Sequence, residues 1–250
     1  MLLIAAGAFF GLAPFLVPSQ FASIFGFVGS DTLMYRIAGA ATFGYGVGLA
    51  LGYRASWPSL RVAIAATGVF NLGSLLACAL AIAAGNTQPV VFLITAASLL
   101  FAPACLYYVY RPPTNRPAAP SSDDHPLATW VTALYVIGMA SALFFGVAAL
   151  LLAGPFGHSL GYPGMDDFIY RQGGAATLGA GVGGVLVLLD RNWLTARIPT
   201  IMALTFNGLS LIAVLLDIAA GTVQPIAYVI LGAAGLVTVG TALAVYRGGR

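Results

Sequence analysis

The stretch from Tyr35 to Gly48, YRIAGAATFGYGVG, returns almost unchanged from Tyr170 to Gly183 as YRQGGAATLGAGVG. The two copies begin 135 residues apart in a chain of 250 residues. The correspondence continues at an offset of 136 residues through three further pairs of segments, Phe70-Asn71 with Phe206-Asn207, Gln88-Pro89 with Gln224-Pro225 and Val109-Arg111 with Val245-Arg247. The sequence therefore indicates that one structural unit occurs twice.

The composition indicates that the solvent of this chain is a lipid bilayer. Hydrophobic residues make up 60% of the chain and charged residues 7%, whereas about 25% of the residues of a soluble domain are charged. A soluble protein with so little charge would expose large apolar patches. The net charge of +3 comes from arginines at the ends of apolar runs, which indicates membrane orientation rather than a nucleic-acid partner.

Eight apolar segments are long enough to cross a bilayer as helices, with approximate limits 2–18, 33–52, 60–84, 89–110, 128–153, 168–189, 198–220 and 224–246. Because each half holds four segments, the halves are expected to be parallel repeats, related by a pseudo-twofold axis along the membrane normal. We therefore predict an all-α, polytopic integral membrane helix bundle of eight transmembrane helices. The first four-helix repeat spans 1–111, a cytoplasmic linker spans 112–127, and the second repeat spans 128–250.

The arginines predict the orientation of the chain. Eight of the ten are expected on one side, namely Arg54, Arg61, Arg111, Arg116, Arg191, Arg197, Arg247 and Arg250. This side is therefore predicted to be cytoplasmic, with both termini inside the cell and the protein in the cell membrane. The linker is rich in proline, serine and charge, so its Asp123, Asp124 and His125 are expected to be solvated.

Arg36 and Arg171 are the two arginines outside this pattern, since each lies about one turn inside an apolar run near the predicted outer face. Each begins a row of alanines and glycines spaced by four residues, a pattern that lets helices approach closely in lipid. Asp31 and Asp166 precede them by five residues. One interpretation is an Arg–Asp clamp within each half, and the other is an outward-facing pocket for an anionic or polar headgroup.

Other polar residues fall in the middle of apolar segments or differ between the copies. Asn71 and Asn207 lie near the middle of the third and seventh segments, where they either hydrogen-bond a neighbouring helix or contact a substrate. Ala81 in the first half becomes Asp217 in the second, and Ile37 becomes Gln172. Asp217 either pairs with Arg36 or Arg171, or is a desolvated acid available for proton transfer.

The second segment of each half carries the pattern R-x-x-G-A-A-x-x-G-x-G, formed by Arg36, Gly39, Gly44 and Gly46 and again by Arg171, Gly174, Gly179 and Gly181. This pattern resembles the DoxX-like group of small four-helix bacterial membrane proteins, of which this chain would be a duplicated and fused version. The resemblance implies a helix-bundle membrane protein, often an accessory to redox or transport assemblies. It implies no set of catalytic residues.

No cofactor or metal is predicted. The chain contains no HExxH, Walker, GxSxG or dinucleotide-binding motif, and Cys78 and Cys105 lie in apolar runs without a CxxC spacing. The expected partners are the lipid bilayer, a lipophilic small molecule and other membrane proteins.

Two functional hypotheses from different classes follow. In the first, the protein binds or transports a small or lipophilic molecule in a pocket between the halves, or is a membrane subunit of a larger complex. The candidate ligand-binding residues are Arg36, Arg171, Asn71, Asn207, Gln172, Tyr35 and Tyr170, with Asp217 beside them. In the second, the protein is a membrane-embedded isoprenoid or lipid enzyme such as a terpene cyclase, in which Asp217 is the catalytic general acid.

Overall fold

The computed structural model of the protein describes residues 1–29, 31–115, 117, 121–162, 166–221 and 225–250. Within these ranges the chain forms ten α-helices, one short 3-10 turn and no β-strand. The helices are α1 (Leu2–Leu16), α2 (Pro18–Phe25), α3 (Thr32–Gly52), α4 (Trp57–Ala83), α5 (Pro89–Tyr110), α6 (Thr129–Leu151), α7 (Ala153–Ser159), α8 (Asp167–Asp190), α9 (Trp193–Ala219) and α10 (Pro225–Arg247). The predicted all-α class is confirmed.

Within the described ranges, six helices are long and apolar enough to cross a membrane: α4, α5, α6, α8, α9 and α10. The pair α1 and α2 is a seventh candidate, bent by 118° at the break between the helices. Pro18 begins α2, and because proline disfavours the helical conformation in the preceding residue, α1 ends before Val17. α3 is not among the candidates, since its glycines and Arg36 lower its mean hydropathy.

Helices α3, α4, α8 and α9 form the centre of the bundle. α3 packs against α9 and α4 packs against α8, while each central helix carries one outer helix: α1 on α3, α5 on α4, α6 on α8 and α10 on α9. The outer helices expose many large apolar side chains, among them Phe144 and Leu236. This distribution suits a protein whose surface faces hydrocarbon.

The glycines of the repeated motif in α3 and α8 make the close helix contacts possible. A Cβ atom added at Gly39 would lie 2.6 Å from the carbonyl oxygen of Gly11 in α1, and one at Gly174 would lie 2.5 Å from the backbone nitrogen of Leu150 in α6. These distances are too short for any side chain. The predicted packing role of the repeated motif is therefore confirmed.

The end of the linker docks onto the start of α9: the side chain of Asp123 is only 17% exposed and is paired, whereas Asp124 is exposed, as expected. Arg197 donates to Asp123 at 2.6 Å, and Asn192 donates to Asp124 at 2.8 Å. In the first half, Arg61 at the position of Arg197 pairs with Asp190 of α8. The residue corresponding to Asp190 is Ala55, which follows the end of α3, so the linker supplies the carboxylate that this position lacks.

Candidate functional site

A large cavity of about 430 Å³ lies between α3, α4, α6, α7, α8, α9 and α10. Tyr162 and Tyr170 line it at the end of the bundle where α3 and α8 begin, here called the Asp31 end, and Tyr135 and Thr241 line it toward the opposite end. No charged side chain is among the described residues that line it. The cavity therefore suits a molecule that is mostly apolar and uncharged.

Among the buried side-chain nitrogen and oxygen atoms of the described cavity wall, only Oγ of Ser210 lacks a hydrogen-bond partner. The hydroxyl of Tyr45 donates to the carbonyl of Ala176 at 2.7 Å, and Thr177 and Thr241 donate to carbonyls of their own helices at 2.8 and 2.6 Å. Ser210 is 2% exposed, and its buried hydroxyl has no hydrogen-bond partner among the described residues. A buried polar group without a partner is uncommon in native structures.

The cavity is open sideways between α6 and α10. Its lining includes Ile137 of α6 and Val229 and Leu236 of α10, which are 57%, 59% and 62% exposed. The two helices meet where Gly240 packs against Leu134, away from the Asp31 end. An apolar molecule would therefore reach the cavity from the side, without passing through water.

A smaller cavity of about 160 Å³ lies between α1, α3, α4, α5 and α8. Asn71, Ser74 and Gln172 line it. The hydroxyl of Ser74 donates to the amide oxygen of Gln172 at 2.8 Å, and the amide nitrogen of Gln172 is 3.8 Å from the sulfur of Cys78. This cavity therefore contains its own internal hydrogen-bond acceptor.

Two buried carboxylates lie at the Asp31 end. Asp31 caps α3 by accepting from the backbone nitrogen of Met34 at 3.2 Å, and it also accepts from the hydroxyl of Tyr170 at 3.0 Å. Burial raises the pKa of Asp31, although these hydrogen bonds oppose the effect. The carboxylate therefore ties α3 to α8.

Asp166 caps α8 in the same way, accepting from the backbone nitrogen of Phe168 at 3.0 Å. It also accepts from the backbone nitrogen of Val28 at 3.2 Å. Burial raises its pKa, while hydrogen bonds led by that from Val28 oppose the rise. Tyr35, which corresponds to Tyr170, donates to the carbonyl of Gly29 at 3.1 Å instead of to a carboxylate.

The arginines pair differently from the predicted clamp. Arg36 donates from Nη1 to Oδ1 of Asp217 at 2.8 Å, and Arg171 lies 3.9 Å from the half-exposed carboxylate of Asp167. Among the described ion pairs, none joins an arginine to Asp31 or Asp166, so the clamp was wrong. The two aspartates use their oxygens for helix caps and for other loop and tyrosine donors, while Arg36 faces α9 because α3 packs there.

The predicted site residues do not converge on one pocket. Asn207 and Tyr170 line the large cavity, and Asn71 and Gln172 line the small one. Four other candidates are not among the described residues that line either cavity, namely Arg36, Arg171, Tyr35 and Asp217. The amide nitrogens of Asn71 and Asn207 donate to carbonyls four residues earlier in their own helices, both at 2.8 Å. Among the described residues they do not form the expected hydrogen bonds between helices, because the backbone of the same helix offers a nearer acceptor.

Ser210 was missed as a candidate, and the sequence did contain a signal for it. Ser74 and Ser210 correspond in the two halves, but Gln172 corresponds to Ile37. Both halves keep the serine hydroxyl, but only Gln172 provides an acceptor for it, and Ile37 does not. Once the helix packing is known, this difference identifies Ser210 as a hydroxyl without a partner among the described residues. The large cavity itself had no sequence signal, since its walls are ordinary apolar residues.

Comparison with protein-family models, with curated proteins and with solved structures found no match for this chain. In the described ranges no group of three or more histidine, cysteine or acidic side chains is arranged to hold a metal ion. Asp217 is bound to Arg36 and is away from both cavity walls. Its position offers no support for the hypothesis of a general acid acting on a substrate in either cavity.

Proposed function

We propose that this protein is an integral membrane protein that binds a lipophilic molecule in the large cavity and exchanges it with the bilayer. The observation that carries the proposal is a cavity of about 430 Å³ that has no charged side chain among its described lining residues, is bounded by seven helices and is open between α6 and α10. A volume of this size lies within the range of ordinary ligand pockets. Its open side is apolar, so the ligand enters from the lipid phase.

We also propose that the chain crosses the bilayer eight times. It would do so as two parallel repeats, 1–111 and 128–250, joined by a cytoplasmic linker at 112–127. The support for this architecture is the matching set of contacts, since α3 packs on α9 as α4 packs on α8, and α1 on α3 as α6 on α8. Corresponding helices also surround the two cavities. α3 crosses the bilayer as the eighth span because its neighbours bury its polar face.

The orientation and the family relationship belong to the same proposal. The arginine-rich side is cytoplasmic, which places both termini inside the cell. The chain is a duplicated relative of the DoxX-like proteins, and the repeated R-x-x-G-A-A-x-x-G-x-G pattern supports this relationship. In this view the first half serves mainly as a scaffold, because its cavity is smaller and its polar groups are internally bonded.

A matched pair of variants tests the proposed site. Ala233 lines the large cavity and Ala97 occupies the corresponding position in the small cavity. Lipids that remain bound after detergent purification are extracted and quantified by mass spectrometry. Ala233→Phe is expected to remove a lipid that the wild-type protein retains, whereas Ala97→Phe leaves it bound. Equal retention by wild type and Ala233→Phe, with both proteins folded, would contradict the proposal.

A further inference from the structure

The two serines at corresponding positions are in opposite hydrogen-bonding states. Ser74 of α4 donates to Gln172 of α8 at 2.8 Å. Ser210 of α9 is buried, lines the large cavity and has no partner in the part of the chain that the structure describes. The protein therefore satisfies one serine from within and leaves the other to a different acceptor.

The corresponding residue on the facing helix differs between the halves. Ile37 of α3 stands at the position that Gln172 holds in α8, α3 packs against α9, and Ile37 and Ser210 both line the large cavity. An isoleucine side chain has no atom that accepts a hydrogen bond. Burying a hydroxyl without a partner is unfavourable, so an oxygen from a bound molecule would stabilise this site.

The walls also restrict the charge and the shape of that molecule. The described lining has no charged group, so a charged ligand would lie without a counter-ion in a low-dielectric space. On α6 the lining runs from Leu134 to Ala149, which is about 22 Å at the rise of an α-helix. A cavity of about 430 Å³ spread over that length is narrow and suits one flexible chain. On α9 the lining ends at Ser210, while Tyr162 and Tyr170 continue it at the Asp31 end, so Ser210 lies part-way along the cavity and nearer to that end.

We infer that the ligand is a neutral, single-chain lipid with a carbonyl oxygen part-way along the chain, and that this oxygen accepts a hydrogen bond from Ser210. The ligand oxygen takes the role that the amide oxygen of Gln172 has in the small cavity. This inference rests on the proposed function and names its ligand class. The chain fills the apolar walls, and Ser210 selects a carbonyl over a plain hydrocarbon.

Dioctyl ketone and heptadecane are probes of equal chain length that differ at this one group. Binding of each to the full-length protein in detergent is measured by native mass spectrometry. The wild-type protein is expected to prefer the ketone, and Ser210→Ala to lower its affinity for the ketone by about three- to tenfold, as expected for loss of one hydrogen bond. Heptadecane has no oxygen that accepts from Ser210, so Ser210→Ala should lower the affinity for the ketone more than the affinity for heptadecane, whereas the matched variant Ser74→Ala changes neither.

Ile37→Gln provides an independent variant. It places an amide oxygen where α8 carries one, so Ser210 is satisfied by the protein and the preference for the ketone over heptadecane is expected to disappear. Infrared spectra of the bound ketone report the same bond, because a hydrogen-bonded carbonyl absorbs at lower frequency. The carbonyl band is expected to move to higher frequency in Ser210→Ala.

Three results would overturn the inference. These are equal binding of both probes to the wild-type protein, no binding of either probe, and a ketone preference that survives in Ser210→Ala. The proposed function fails separately, when Ala233→Phe retains as much natural lipid as the wild type. If Ala233→Phe loses the natural lipid but the wild-type protein binds the ketone and heptadecane equally, the cavity is a lipid site and the proposed ligand class is wrong.

Discussion

Arg36 and Asp217 form an ion pair near the Asp31 end of the bundle, with Nη1 of Arg36 2.8 Å from Oδ1 of Asp217. The pair joins α3, from the first half of the chain, to α9, from the second. The side chains are 20% and 7% exposed, so neither charge is well solvated by its surroundings. Arg36 was one of the two partners expected for Asp217, and this ion pair confirms it.

Removing one partner of this pair should destabilise the protein strongly. Asp217→Asn leaves the Arg36 cation without a counter-ion, and breaking a buried ion pair in this way costs about 3–5 kcal/mol. We expect about 1–3 kcal/mol because Arg36 is partly exposed. Thermal unfolding of the purified protein in detergent measures the change. The double variant Arg36→Met with Asp217→Leu should recover most of the loss, and a double variant as unstable as Asp217→Asn would show that the pair itself is not the cause.

Arg171 offers the reverse experiment, since the position corresponding to Asp217 in α4 is Ala81. The Nε atom of Arg171 is buried with no hydrogen-bond partner among the described residues. Ala81→Asp should therefore be tolerated, with a change in stability of less than about 1 kcal/mol. In an Arg171→Gln background the same aspartate would be buried without a cation and should destabilise. Equal effects in the two backgrounds, measured as a double-mutant cycle in the free energy of unfolding, would show that Arg171 does not reach this position.

Removing the hydroxyl of Tyr170 or of Tyr35 should lower the free energy of unfolding by different amounts. Tyr170→Phe removes the hydroxyl that donates to Asp31 at 3.0 Å, whereas Tyr35→Phe removes one that donates to the carbonyl of Gly29. A hydrogen bond to a charged group contributes about 1.5–3 kcal/mol and one between neutral groups about 0.5–1.5 kcal/mol. Tyr170→Phe should therefore lower the free energy of unfolding more than Tyr35→Phe does. The opposite order would contradict the assignment of Tyr170 as the donor to Asp31.

Stability should depend on pH through Asp31 and Asp166, whose pKa values burial raises. The folded protein binds these protons more tightly than the unfolded chain, in which the pKa is about 3.9. Their stabilising contribution is therefore fully present below that value and is lost as the pH rises through the raised pKa. Melting curves between about pH 4 and pH 8 should show stability falling as the pH rises.

Asparagine is the matched substitution for this test, because it also caps helices but does not ionise. Relative to the wild type, Asp31→Asn and Asp166→Asn should become progressively more favourable as the pH rises. A constant difference between variant and wild type over this range would show that these carboxyls do not titrate in a shifted environment.

The sequence was informative where local pattern decides structure. Apolar runs identified the long helices, and the row of small residues in Tyr35–Gly48 identified a packing face, because both depend only on residue type and spacing. The bend after α1 was missed although Pro18 signals it, since the apolar run continues through the proline. The docking of Asp123 onto Arg197 depends on which residues Ala55 and Asp190 face across the bundle, and no local pattern records that.

The candidate site was less predictable for the same reason. Polar residues such as Asn71 and Asn207 were identified by residue type. They line two separate cavities because α3 packs against α9 of the second half and α8 packs against α4 of the first half, and the sequence does not show this packing. Ser210 became notable only when its neighbour was known to be Ile37. Differences between corresponding positions identified Asp217 and Gln172, the two residues whose contacts most clearly separate the halves.

A density map of the wild-type protein in lipid nanodiscs would show directly whether a ligand occupies the large cavity. We expect elongated density between α6 and α10, passing within hydrogen-bond distance of the hydroxyl of Ser210. A map in which side chains close this space, or in which density occupies only the small cavity beside Gln172, would contradict it.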